Sequence, residues 1–181
     1  MGKIVILSGS PRKNGNSELL VNSFVEGAKL HNEVEVMSIR EYHVQPCCGC
    51  NACRIGSGKK CFQKDDMHLV FEKLSDADIL VIASPVYFYG VSAQLKAVID
   101  RFHSPERQQV GIKGMALLLV GADTIPNLFD SIISQYRLTL DYFHLQDYGM
   151  VLVGGFEEKA AIEGSERLND AYSLGSSLQN I

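Results

Sequence analysis

No run of ~18 or more apolar residues occurs in this sequence, so a membrane-spanning helix is not expected. The opening, Met1 to Leu7, has one basic residue and then four apolar ones. A secretory leader needs ~7–15 apolar residues and a cleavage site, so export is not expected either. Basic charge is not in excess: 17 Lys and Arg against 21 Asp and Glu leave a net charge of -4. Nucleic-acid binders carry a basic stripe, and this balance argues against such a partner. Internal repeats, low-complexity tracts and interdomain linkers are also missing. At 181 residues the chain fits one domain, read as 1–181.

Five cysteines, Cys47, Cys48, Cys50, Cys53 and Cys61, fall within fifteen positions. An odd and tightly clustered set does not make a disulfide framework, and a reducing cytoplasm is the expected setting.

Continuous apolar runs alternate with helical periods along the chain. Lys3–Leu7, Ile79–Ala83, Met115–Val120 and Tyr148–Val153 read as buried strands, and Val34–Met37 as another. Between them, Leu19, Leu20, Val21, Phe24, Val25 and Ala28 keep helical spacing, with Asn16 and Ser17 as candidate caps. Further helices are expected over 66–74, 92–102 (capped by Ser92), 128–142 and 165–179. Residues 41–65 keep neither period and form a long loop insertion that carries the cysteines. Buried strands separated by amphipathic helices mean a doubly wound parallel sheet, with ligands beyond the carboxyl ends of its strands.

Two loops at those ends carry candidate binding chemistry. Gly9 to Ser17 is rich in hydroxyl and amide groups and leads onto free helix N–H donors, an anion site to which Arg12 or Lys13 adds charge. It lacks the Lys-Ser/Thr of a Walker loop, and Pro11 breaks a Gly-x-Gly-x-x-Gly pattern; a mononucleotide phosphate fits better. The plain alternative is a polar turn with two caps. Ser84 to Gly90 sets Tyr87, Phe88 and Tyr89 beside Pro85, as a wall for a planar ring, or else as an aromatic plug or subunit contact. The five histidines are scattered without metal-ligand spacing. Asp65-Asp66 precedes a helix and reads as capping and dipole complement.

Taken together, three segments resemble the flavodoxin-like NAD(P)H-dependent FMN reductases, including their iron–sulfur flavoprotein branch. These are Ser8 to Ser17; Pro46 to Cys53 with Cys61 and Asp65-Asp66-Met67; and Ser84 to Gly90 followed by Gln94 to Arg101. The resemblance implies a five-stranded sheet of order 2-1-3-4-5 with helices on both faces. It implies an FMN phosphate against Ser10, Arg12, Asn16 and Ser17. The isoalloxazine would rest on Pro85, Val86, Tyr87 and Phe88, with Gly121 contributing from the loop after the fourth strand. It further implies NAD(P)H as co-substrate, a small-molecule acceptor (a quinone, nitro or azo compound, metal ion or free flavin), and a homodimer or homotetramer. The chemistry is flavin-borne, so no catalytic side chain is nominated. The alternative is an electron-transfer flavoprotein without its own NAD(P)H activity, although a charge of -4 gives only a weak docking field.

Cys47-x2-Cys50-x2-Cys53-x7-Cys61 has the spacing of a [4Fe–4S] ligand set in that branch. The reading without a metal is preferred, because Cys48 is an extra adjacent thiol and the last gap is long. A cluster at Cys47, Cys50, Cys53 and Cys61 stays open, as does zinc or redox thiol chemistry.

Overall fold

The apolar runs become strands because both of their faces are covered. In the computed structural model, which describes residues 1–56 and 60–179, the strands are β1 (Lys3–Ser8), β2 (Glu33–Ser38), β3 (Ile79–Pro85), β4 (Gly114–Val120) and β5 (Gln146–Val153). They pair in parallel in the order β2-β1-β3-β4-β5, as expected from the sequence. Ser8 stands level with Ser38 and with Ala83, so β1 and β2 end together while β3 runs two residues farther, to Pro85.

Alternation along the strands feeds two cores. Val5 and Leu7 of β1 face one core, which is built with α3 (Met67–Leu74), α4 (Ala93–Arg101) and α5 (Asp130–Phe143). Ile4 and Ile6 face the other, built with α1 (Asn16–Ala28) and α6 (Arg167–Ser177). A short α2 (Ala52–Ile55) lies within the cysteine loop. Residues 57–59 of that loop and 180–181 of the chain lie outside the described residues. No helix is long and apolar enough to cross a membrane among the described residues.

Element boundaries differ from the sequence reading by one to three residues, as end fraying allows. The expected caps of α1 differ in kind. Gly15 occupies the N-cap position and no side chain caps the helix. Asn16 and Ser17 are its first helical residues, and the Asn16 amide is drawn away to a distant loop. Ser92 does cap α4, its Oγ accepting from the Leu95 N–H at 3.3 Å.

Two glycines set the spacing of α1 against α6. A Cβ on Gly27 would press on the Tyr172 carbonyl oxygen and stand 2.9 Å from the Ser176 nitrogen. A Cβ on Gly175 would press on the Phe24 carbonyl oxygen and stand 2.8 Å from the Ala28 nitrogen. The two backbones touch at that crossing, where only glycine leaves room.

Candidate functional site

The β1–α1 loop begins at Gly9, whose N–H continues the ladder to the Ala83 carbonyl at 2.8 Å. A Cβ at Gly9 would lie 2.7 Å from Leu95 Cβ and 2.8 Å from Ser92 Oγ, so this glycine lets the loop approach the start of α4. Ser10 is buried, and its hydroxyl folds back on Arg12, accepting from the Arg12 N–H at 3.3 Å and donating to the Arg12 carbonyl at 3.2 Å. Arg12 and Lys13 project into solvent. The Asn16 and Ser17 N–H groups have no backbone acceptor among the described residues, as the first turn of a helix requires. Free donors, the positive helix end and two exposed cations are the groups an anion site is built from.

The Asn16 side chain is otherwise engaged. Its Nδ2 donates to the Phe156 and Glu158 carbonyls at 2.9 and 2.8 Å, and its Oδ1 accepts from the Ile162 N–H at 3.2 Å. It staples the segment after β5 to the start of α1, while its backbone N–H has no acceptor among the described residues. Ser17 is buried, and its hydroxyl makes no hydrogen bond among the described residues.

The β3–α4 loop lies beside it, with Ser92 against Gly9. Ser84 Oγ accepts from the Ser92 N–H at 3.0 Å and donates to the Pro85 carbonyl at 2.8 Å, fixing both ends of the loop. Tyr87 and Gly90 exchange backbone hydrogen bonds at 2.9 and 3.0 Å, and Phe88 and Tyr89 between them take φ of 50° and 64°. Such a two-residue turn with both central residues at positive φ is normally built of Asn and Gly. Bulky residues there cost of order 1–3 kcal/mol each, strain that collects at ligand sites. The turn leaves Phe88 99% exposed and Tyr87 and Tyr89 about half exposed. The Tyr89 carbonyl accepts from Ser131 Oγ at the start of the neighbouring helix.

The third loop, after β4, starts at Gly121. Its N–H continues the ladder to the Val153 carbonyl at 2.8 Å, and a Cβ there would collide with Leu128. Gly121 is buried, and the exposed residues of this loop run from Ala122 to Asn127. An apolar cavity of about 390 Å³ between α4 and α5, walled by Leu80, Ile82, Ile99, Met115 and Tyr136 among others, touches none of the nine residues expected to bind a ligand.

The cysteine loop is pinned at its neck. Arg101 and Asp65 form an ion pair of 2.6 Å whose side chains are 3% and 2% exposed. Arg101 Nη1 also donates to the Gln45 carbonyl at 3.0 Å and Nη2 to Asp65 Oδ1 at 3.3 Å. The carboxylate takes the Gln45 and Met67 N–H groups at 2.9 and 3.2 Å. Asp65 is thus only secondarily a helix cap, a correction to the reading from sequence; Asp66, at the N-cap position, takes the His43 N–H instead. Burial opposes the Asp65 charge, but the Arg101 contact and the two N–H donors outweigh it and hold its carboxyl below the usual range. Burial likewise opposes the Arg101 cation, and Asp65, with smaller help from Cys61 and Cys47, raises its pKa above the ordinary value.

The depressed Asp65 pKa sets the sign of an acid effect. Its stabilisation is fully present above the unfolded value of ~3.9 and drains as pH falls through the lower folded value. Between pH ~5 and ~2.5 the urea midpoint of the native protein should fall further than that of Asp65→Asn, which has no such proton to gain. Equal slopes would show that Asp65 carries no such charge effect.

All five cysteines are free thiols, with Cys47, Cys48 and Cys50 exposed. Thiolate chemistry suits a soft metal centre. As arranged, however, no group of three or more His, Cys, Asp or Glu side chains is gathered to hold an ion among the described residues.

Loops beyond the carboxyl ends of a 2-1-3-4-5 sheet, one of them ending on free helix donors, define a flavodoxin-like α/β protein. The chain belongs to the NADPH-dependent FMN reductase family, whose model it matches over residues 2–146. An iron-sulfur flavoprotein of Methanocaldococcus jannaschii is 42% identical over 100 residues, which cover 55% of this chain and 51% of that protein. The chain therefore spans about half the length of this relative. An iron-sulfur flavoprotein of Methanosarcina thermophila is 36% identical over 155 residues, 84% of this chain and 77% of that one. The solved NAD(P)H:quinone oxidoreductase from Methanothermobacter marburgensis superposes with a TM-score of 0.75 at 17% identity, covering 97% of this chain and 96% of that one.

Arg101 closes one of the family-like segments, yet sequence reasoning gives it no role. Its signal is a lone arginine at the end of an otherwise apolar helix face, next to Val98 and Ile99.

Proposed function

We propose that this chain, acting as one domain over residues 1–181 with 41–65 as an insertion, is an FMN-dependent NAD(P)H oxidoreductase that reduces a small-molecule acceptor such as a quinone, a nitro or azo compound, a metal ion or free flavin. The observation that carries this reading is the meeting of the first and third strand-end loops at Gly9 and Ser92. It sets an anion corner beside an aromatic wall. Such an arrangement fits a molecule with a phosphate at one end and a flat ring at the other.

The residues divide the work by chemistry. Arg12, Ser10, Ser17 and the backbone N–H of Asn16 receive the phosphate; Pro85, Val86, Tyr87 and Phe88 form the surface for the ring, and the loop from Gly121 closes the third side. When bound, FMN supplies hydride acceptance from the nicotinamide and delivery of electrons onward. The protein's share is to orient the ring, hold the phosphate and keep water from its covered face. No side chain is assigned a role as acid, base or nucleophile.

Half-exposed Tyr89, which the flavin surface does not use, supports a homodimer or homotetramer, since a second copy would cover its ring. Five unpaired thiols support a reducing, cytoplasmic setting.

The anion corner has a direct test. FMN should quench on addition of protein and bind more tightly than riboflavin, which has no phosphate. Arg12→Ala should weaken FMN binding by about 5- to 30-fold, the worth of one exposed charged contact, and leave riboflavin nearly unmoved. Equal affinities of the native protein for the two flavins would contradict the assignment. Flavin binding without oxidation of NADH or NADPH, whatever the acceptor, would point to the electron-carrier alternative.

A further inference from the structure

The carboxyl end of β2 reaches the anion corner through one side chain. β2 stops at Ser38, and a single 3₁₀ turn over Ile39–Glu41 follows, anchored by the buried Ile39. From this turn Arg40 meets Glu18, in the first turn of α1. Its Nη2 donates to Glu18 Oε1 at 3.3 Å and its Nη1 to Oε2 at 3.4 Å. Two bonds from a planar guanidinium fix a carboxylate in direction as well as in place. The two side chains are 16% and 26% exposed, so water screens this pair less than an open surface pair. Glu41 is a looser neighbour, 3.6 Å from Arg40.

Glu18 in turn reaches back over the loop. Its Oε2 accepts from the Asn14 N–H at 2.6 Å, and Asn14 takes a φ of 52°. An acid at the third helical position commonly bonds the N–H of the N-cap residue. Here it takes the residue before the cap. The next three N–H groups, of Gly15, Asn16 and Ser17, have no backbone acceptor among the described residues. Glu18 thus holds the left-handed residue at which the chain turns into its free donors. The arrangement carries a conflict of charge. A helix N-terminus attracts the Glu18 carboxylate and a ligand phosphate alike, and the two anions repel each other. Arg40 supplies the counter-charge.

We propose that Glu18 and Arg40 are positioning residues for the phosphate loop. Glu18 sets the bend at Asn14, while Arg40 aims that carboxylate and cancels its charge against an incoming phosphate. Neither is assigned a contact with the ligand. The inference rests on the flavin reading for the identity of the phosphate. It goes beyond that reading by placing a determinant of affinity after β2, outside all three loops of the site.

Titrations of the full-length protein with FMN and with riboflavin test it through a mutant cycle. Arg40→Met should weaken FMN binding about three- to fivefold, the worth of one partly exposed charge pair. In the Glu18→Gln background no carboxylate is left to aim or cancel, and the same substitution should cost less than about twofold. With Arg40→Met in place, Glu18→Ala should bind FMN about fivefold more weakly than Glu18→Gln, whose amide oxygen still accepts from Asn14. The Asn14 amide should also exchange with solvent about fivefold faster in that Ala variant, as seen by NMR. Riboflavin affinity should stay unchanged throughout, which a general loosening of the fold would not allow. An Arg40→Met loss of equal size in both backgrounds would mean that Arg40 meets the phosphate itself. Equal Asn14 exchange in the Ala and Gln variants would mean that Glu18 sets no bend. Either result would overturn the proposal. A native protein that bound FMN no more tightly than riboflavin would overturn the flavin reading, and Asn14 exchange would still decide whether Glu18 sets the loop.

Discussion

Asp65→Ala should cost about 3–5 kcal/mol of stability, the penalty for leaving one charge of a buried ion pair uncompensated. Arg101 would remain 3% exposed with its guanidinium facing only the Gln45 carbonyl, and the Gln45 and Met67 N–H groups would each lose their acceptor. For a chain of this size the melting temperature should drop by roughly 6–20 °C. The double variant Asp65→Leu/Arg101→Met separates two causes. If the cost is mostly the orphaned cation, the double variant regains most of it. The two backbone donors still lack a partner there, so recovery should be incomplete. A fall of less than ~1 kcal/mol in Asp65→Ala would mean that water reaches the site and that the pair is no clamp.

Gly175→Ala should also destabilise, by about 3 kcal/mol at the upper end of overpacking costs, and here the sign is the informative part. In the interior of an exposed helix, alanine in place of glycine stabilises by ~1 kcal/mol. At Gly175 the new methyl would meet the Phe24 carbonyl and, at 2.8 Å, the Ala28 nitrogen, backbone atoms that cannot rotate away. Only a shift of α6 from α1 relieves the clash. Gly27→Ala should behave alike, because its Cβ points at the backbone of Tyr172 and Ser176. Thermal melts of the two single variants and of the pair would show strongly non-additive losses, since one displacement serves both. A stabilised Gly175→Ala would disprove the close crossing.

The sheet could be read from the sequence because buried parallel strands are apolar on both faces, and Ile4 to Leu7, Ile79 to Ala83 and Met115 to Val120 say so locally. The β1–α1 and β3–α4 loops could be located for the same reason, since each begins where such an apolar run ends. Contacts between distant residues were not legible. Asp65 precedes a helix and so reads as its cap, while its main partner stands 36 positions away at the end of another helix. Gly27 and Gly175 look like flaws in two helices until the helices are laid together. Asn16 reads equally as a cap and as a phosphate ligand; nothing near it in sequence announces the Phe156–Ile162 segment that claims its amide. The turn at Phe88 and Tyr89 has no local signature, because two aromatics at positive φ break the usual Asn-Gly rule. Local strain of this kind needs the surrounding structure to impose it, here the Ser84–Ser92 bond and the Tyr89–Ser131 contact.

A flavin held between the Gly9–Ser17 and Ser84–Gly90 loops should be reduced there by a pyridine nucleotide. Anaerobic titration of the FMN-loaded, gel-filtered protein with NADPH and with NADH, followed in the flavin absorption band, addresses it in one experiment. The band should travel with the protein, bleach in proportion to the added nucleotide, and return when a quinone is supplied. A protein that elutes without flavin, or whose bound flavin stays oxidised with both nucleotides, would contradict the claim.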